Sequence, residues 1–249
     1  MKNNGIALAI FMLFSPVGYA DIVKNYSIGT QDINYFPYFG KNDEMKRGKR
    51  NFIQDVIDAF SADKNISFEM EYYPVKRLDV VYLKAGTLDF RYPDSPSWNV
   101  NSDHEQIYYS DPICDFIDAT FVHEDNVNMG IEKVKVIGII DSYIAEPYIE
   151  KIIDKSILVH EYRNSTFLLK ALALKRIDAA YINEVIGNKI LSKNQLHIEQ
   201  SEILPKIQSS YRLSSIKHPK LIKQLNTFLS ANIAFIEKVK LKHGLCNNK

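Results

Sequence analysis

The segment LDFRYPDSPSW, Leu88 to Trp98, places Arg91, Tyr92, two prolines, Ser95 and the chain's single tryptophan directly behind a short apolar strand signal. A guanidinium can clamp a carboxylate through two parallel hydrogen bonds, and an aromatic face can hold an apolar or cationic body. Loops at strand ends ordinarily carry small polar residues, so this stiff, sticky stretch reads as a functional loop. Other chemistries find less support. The six histidines, at 104, 123, 160, 197, 218 and 243, never reach the i, i+4 spacing of a helical metal pair, and no G-x-S-x-G elbow or other nucleophile signature occurs. Asp141 or Glu184 with His160 are only nominal acid–base partners, and Asp103 with Glu105 reads as a solvated loop. The residues point to binding rather than turnover, with no cofactor and no metal.

The elements that must position these residues alternate between two periods. VKNYSIGT (23–30) reads as a strand; Phe52, Ile53, Val56, Ile57 and Phe60 then form one stripe of a helix ending near Asn65. SFEMEY alternates as a half-buried strand, Pro74 opens a helix stopped by Gly86, and LDF begins a third strand. Three βα repeats predict a parallel sheet with helices on its faces. YYSDPICDFIDATFVHED breaks the pattern with a long connecting strand in which Ile117, Ala119 and Phe121 alternate with Asp118, Thr120 and Val122. The alternation restarts at 134–140, 157–161 and 177–181, with helices between and one from Asn183. SYRLSSI (210–216) is a late strand, and a long helical region from Leu221 follows. The expected fold class is α/β: two α/β lobes joined by strands that act as hinges, with residues 21–113 and 208–249 forming lobe 1 and 114–207 lobe 2.

Residues 1–20 stand apart, with Lys2 ahead of a ten-residue apolar run and small residues at Gly18 and Ala20. They read as a secretory signal peptide cut after Ala20, since the run is well short of the ~20 residues that cross a bilayer. The expected location is the periplasm, with no membrane insertion after cleavage. Removal takes away one lysine and leaves 30 basic side chains against 30 acidic ones, a balance that favours neither nucleic acid nor an anionic membrane. In an oxidising compartment Cys114 and Cys246, 132 positions apart, either form one disulfide or remain two thiols, a choice that geometry decides.

Five stretches carry a resemblance: YFPYFG (35–40), PVKRLDVVYLKAGTLDF (74–90), YSDPI (109–113), NSTFLLKALALKRIDAAYINE (164–184) and YRLSSIKHPKLIKQLNTFL (211–229). In this order, behind a signal peptide, they resemble the family 3 extracellular solute-binding proteins of ABC importers across essentially the whole mature chain. The resemblance implies a bilobal type 2 periplasmic-binding fold that closes on a small-molecule solute. It also implies an inner-membrane ABC permease as partner, and a monomer.

Such a fold binds at the carboxyl ends of parallel strands, among backbone N–H groups and helix N-termini. The candidate contacts are then Tyr35 and Tyr38; Arg91, Tyr92, Ser95 and Trp98; Asp141; Arg163, Asn164 and Ser165; and Asn183. Asn164 or Ser165 is first of all an N-cap. The departures from the family are informative. The positions where amino-acid-binding members carry an arginine for the carboxylate and an aspartate for the ammonium hold Asp103 and Asn183 here. The expected solute is therefore amino-acid-like without being a standard free α-amino acid, although a shifted alignment through 91–106 restores Arg91 as a carboxylate anchor. Two alternatives share the fold: a soluble receptor reporting to a membrane sensor kinase or cyclase, and a periplasmic small-molecule enzyme such as a dehydratase.

Overall fold

The computed structural model describes residues 23–40, 48–99 and 106–245. The signal-peptide reading of residues 1–20, the Asp103–Glu105 cluster and Cys246 lie outside them; Cys114 is buried.

Strand β1 (Lys24–Gln31) pairs in parallel along its whole length with β4 (Ile66–Tyr73), and its Ile28 and Gly29 pair with Phe90 and Arg91 of β5 (Phe90–Asp94). Between β1 and β4 lie a small hairpin of β2 (Asn34–Tyr35) and β3 (Phe39–Gly40), then helix α1 (Phe52–Lys64). Asn51 caps α1 reciprocally: its side chain accepts from the Gln54 N–H at 3.1 Å, and Gln54 Oε1 accepts from its own N–H at 3.1 Å. The apolar stripe from Phe52 to Phe60 is buried, and Asn65 ends the helix in the left-handed region at φ 52°. Helix α2 (Val75–Asp79) follows Pro74 and runs into a π turn over Val80–Lys84.

A second set of parallel strands repeats the arrangement: β8 (Val136–Ile140), β9 (Leu158–Tyr162) and β10 (Ala179–Asn183), with α3 (Ile149–Ile153), α4 (Ser165–Ala173) and α5 (Glu184–Leu191) following β8, β9 and β10 in turn. Two long antiparallel strands join the sets. β7 (Cys114–His123) pairs with β10 through residues 118–122; β12 (Ile207–Ser215) pairs with β5 through Arg212 and Ser214. Their other halves pair with each other, from Ile207 opposite Asp118 to Tyr211 opposite Cys114. The result is one curled sheet ordered β4-β1-β5-β12-β7-β10-β8-β9, with β6 (Tyr108–Tyr109) on β12 and β11 (Ile198–Gln200) on β7.

The expectation of a loop after LDF is corrected here. FRYPD is strand, buried at all five positions, and only Pro96–Asn99 leaves it, as a 3-10 turn. Three β5 residues from Arg91 face two steps of β12, a bulge that accommodates Pro93, which has no N–H to give the ladder. The predicted single C-terminal helical region divides at Asn232 into α6 (Pro219–Ala231) and α7 (Ile233–His243).

Helix α7 returns to α1 and is tied there through Asp55, which accepts from Lys242 at 2.6 Å, from His243 at 2.8 Å and from Arg50 at 2.8 Å. Partial burial opposes ionisation of Asp55, but these three donors outweigh it and hold the carboxyl down at about 2. A depressed carboxyl contributes stability that is full above its ordinary value near 3.8 and lost as pH falls toward about 2. Asp55→Asn should cost about 1–2 kcal/mol at pH 7 and flatten the acid limb of the stability curve between pH 4 and 2, read by urea denaturation at a series of pH values.

Candidate ligand-binding cleft

Where β7 and β12 cross, both strands turn alternate residues to one side: Phe116 and Asp118 from β7, and Ile207, Ser209 and Tyr211 from β12. This row floors a cavity of about 760 Å³ whose remaining walls come from both strand sets. A volume of that size is ordinary for a small-molecule site. Tyr211 is the hub of the floor. Its ring stacks on Phe116 at 4.1 Å and meets Tyr38 at 5.4 Å, Phe39 at 5.5 Å and Trp98 at 6.2 Å, all edge-on except Phe116.

The Asp94-Ser95-Pro96-Ser97-Trp98-Asn99 stretch is a platform built on one buried carboxylate. Asp94 accepts from the Ser95 N–H at 2.8 Å, from Asn99 Nδ2 at 2.7 Å and from the Ser214 hydroxyl. These bonds hold the 3-10 turn closed and present Ser97 and Trp98 to the cavity. Burial nonetheless raises the Asp94 carboxyl, against the pull of Arg91 and its hydrogen bonds. Arg91 lines the cavity at 4% exposure, with Nη1 2.8 Å from Asp79 Oδ1.

The opposite pole is acidic. Asp118 is half-buried on β7 and lines the cavity; its Oδ1 is buried and makes no hydrogen bond. Burial, and secondarily Glu146, pushes its carboxyl up to about 7. The hydroxyl of Tyr181, a residue 5% exposed, lines the same pole without a hydrogen-bond partner. Burial, followed by the charges of Asp118 and Glu146, raises its pKa and keeps the phenol protonated.

The two strand sets touch above the cavity. Tyr143 Oη donates to Gln31 Oε1 at 2.8 Å, Ser97 Oγ to Glu146 at 3.3 Å, Lys76 Nζ to Asp141 at 3.3 Å and Lys189 Nζ to the Phe36 carbonyl at 3.3 Å. These contacts tie the two strand sets together across a partly open cavity.

No family model matches the chain, and the comparison with curated proteins gives no match. Solved structures match over nearly all of it. An ancestral arginine-binding protein bound to arginine superposes with a TM-score of 0.68 at 18% identity, covering 88% of this chain and 97% of that one. The substrate-binding protein of an amino acid ABC transporter gives 0.67 at 16%, covering 88% and 98%. A histidine kinase sensor domain with similarity to periplasmic binding proteins gives 0.68 at 17%, covering 89% and 96%.

The fold is that of the bilobal periplasmic-binding proteins. It is the fold that the resemblance implied, and the cavity lies at the pairing of β7 with β12, between the two strand sets.

Of the eleven residues expected at the site, Arg91 and Trp98 line the cavity of this periplasmic-binding fold. Tyr35 lies behind it, its ring 5.8 Å from that of Tyr143, which does line it. Tyr38 and Tyr92 are buried in the aromatic core around Tyr211, and Ser95 is buried beneath the platform with its N–H on Asp94. Asp141 stands on the rim as the partner of Lys76. Asn164 and Asn183 serve as N-caps, accepting from Phe167 N at 3.0 Å and Ile186 N at 3.2 Å; Arg163 is exposed and Ser165 buried, and none of these four lines the cavity. The sequence reading missed Asp118, Tyr143, Glu146, Tyr181 and Tyr211. One signal was present: Asp118 is a lone acid between Ile117 and Ala119 in the middle of the connecting strand, on the face shared with Phe116.

Proposed function

We propose that the chain is a periplasmic solute receptor. It captures a small polar or amphipathic solute between lobe 1 (21–113 with 208–249) and lobe 2 (114–207) and delivers it to an inner-membrane ABC permease. The observation that carries this reading is the cavity at the strand crossing, lined from both strand sets by residues with buried, unpartnered polar atoms, Arg91, Asp118 and Tyr181. Support also comes from the fold shared with the substrate-binding protein of an amino acid ABC transporter. Among the described residues no helix is long and apolar enough to cross a membrane, which fits a freely diffusing receptor exported by residues 1–20. The reading is one of binding without turnover: a solute recovered unchanged after incubation supports it, and conversion followed by mass spectrometry makes the chain an enzyme.

A thermal-shift screen of the exported chain against a broad solute panel tests the receptor reading. A solute at a hundred times its dissociation constant stabilises by roughly 2.7 kcal/mol, which a melting curve resolves. A second output, reporting to a membrane sensor, draws on the fold shared with a histidine kinase sensor domain. Deleting the gene separates the two: loss of solute uptake marks transport, and loss of a transcriptional response with uptake intact marks signalling.

A further inference from the structure

We propose that the pole of the cleft formed by Asp118, Glu146 and Tyr181 is an amine subsite, so that the solute carries a protonated amine seated against the hinge. This deepens the receptor reading and rests on it. The two carboxylates come from different elements, Asp118 from the hinge strand β7 and Glu146 from the segment between β8 and α3, and both line the cavity. All three line one cavity, and the charges of Asp118 and Glu146 both act on Tyr181. Each has capacity to spare there: Asp118 Oδ1 and the Tyr181 hydroxyl are buried and unpartnered, and Glu146 makes one bond of 3.3 Å to Ser97.

Among the described residues no basic side chain is paired with Asp118 or Glu146. Among the described residues the cations of the cavity wall are Arg91 and Lys84. Arg91 lies 2.8 Å from Asp79, with its buried Nε making no hydrogen bond, and acts on Asp94, Tyr82 and Tyr109, whereas Asp118 acts on Tyr35, Tyr38, Tyr143, Tyr181 and Tyr211. Lys84 is exposed at the far end of the π turn. Two carboxylates lining one cavity, with no described cation paired to either, make a site that an ammonium would fill, donating to Asp118 and Glu146 and to the phenol oxygen of Tyr181. The surrounding rings of Tyr143, Phe116 and Tyr211 present faces suited to a cation and to the apolar carbon beside it. This subsite is not the position where amino-acid-binding relatives carry their aspartate, which here is the helix cap Asn183.

The test pairs probes that differ in the charged nitrogen: phenethylamine against 2-phenylethanol, cadaverine against 1,5-pentanediol, and L-leucine methyl ester against its Nα-acetyl derivative. Melting of the full exported chain is followed with each probe, and native mass spectrometry identifies any small molecule carried by protein purified from its source. The proposal expects at least one amine to stabilise at tenfold lower concentration than its partner, and any co-purified molecule to contain a protonatable nitrogen. Glu146→Gln, on an exposed-side segment, and Asp118→Asn should each weaken that amine at least tenfold. Neutral partners binding as well as the amines, or a co-purified molecule without such a nitrogen, overturns the subsite and leaves the receptor reading standing. Absence of any bound molecule together with no response across the broad solute panel overturns both.

Discussion

Asp118→Asn should raise the melting temperature of the solute-free protein at pH 8 while removing its affinity for amines. In the unfolded chain this carboxyl titrates near 3.8, and in the folded protein burial and Glu146 hold it up to about 7. The folded state therefore binds the extra proton between those values. Stability is full below about pH 4, declines as pH rises from 4 to 7, and stays low above 7. Holding a carboxyl proton up to about pH 7 instead of near 4 corresponds to about 4 kcal/mol, an upper bound because Asp118 borders a cavity that water can enter. For a chain of this size that is a gain on the order of 10 °C for the asparagine variant at pH 8, and almost none at pH 4. Amine binding runs the other way. An ammonium needs the ionised carboxylate, so the wild-type chain should bind phenethylamine up to tenfold more weakly for each pH unit below 7 and level off above it. The groups facing Asp118 are Glu146, Tyr35, Tyr38, Tyr143, Tyr181 and Tyr211, and burial holds all five tyrosines well above this range. Calorimetric melts of both proteins at pH 4, 6 and 8 read the stability effect. A variant that melts lower than wild type at pH 8 would show that the carboxylate is compensated in the folded state and refute the argument.

Tyr211→Ala should be the most damaging single change in the hinge. Its ring joins the stacked pair with Phe116 to the edge contacts from Tyr38, Phe39, Tyr92 and Trp98, so truncation opens a void where the two strand sets meet. Large-to-small changes at such aromatic positions cost about 3–5 kcal/mol, partly for lost transfer and partly for the void. A fall in melting temperature of roughly 10–15 °C is expected, and Tyr211→Phe, which keeps the ring, should lose under about 1.5 kcal/mol. Equal losses in the two variants would place the stabilisation in the hydroxyl and not in the ring cluster.

The strand and helix alternation was legible because each element has a clean period: the stripe from Phe52 to Phe60, and the buried run VIGII of β8. The returning C-terminus was legible from the late strand signal that became β12. The site was legible only at Arg91 and Trp98. FRYPD looked like a loop because prolines and polar residues were given turn meanings, whereas a bulge against β12 and the bonds to Asp94 absorb them within a strand. Asp118 was read only as alternating with Ile117 and Ala119 along the connecting strand, since an alternating pattern says which residues share a face and not whether water or a cavity lies beyond it. Tyr143, Glu146 and Tyr181 belong to the site through the approach of two strand sets distant in sequence, a relation that local periodicity does not encode.

In the proposed receptor the ladder between β7 and β12 is the axis of closure. Asp118 lies in that ladder, opposite Ile207, whereas Lys76 and Asp141 meet out on the rim. When two rigid halves turn about a shared pair of strands, points on the axis barely travel and points on the rim sweep the longest arc. A solute that docks on Asp118 has thus made its strongest contact before the jaws move, and the weak rim bonds report the angle afterwards. Charge recognition would govern how fast a solute is caught, and the rim would govern how long it is kept.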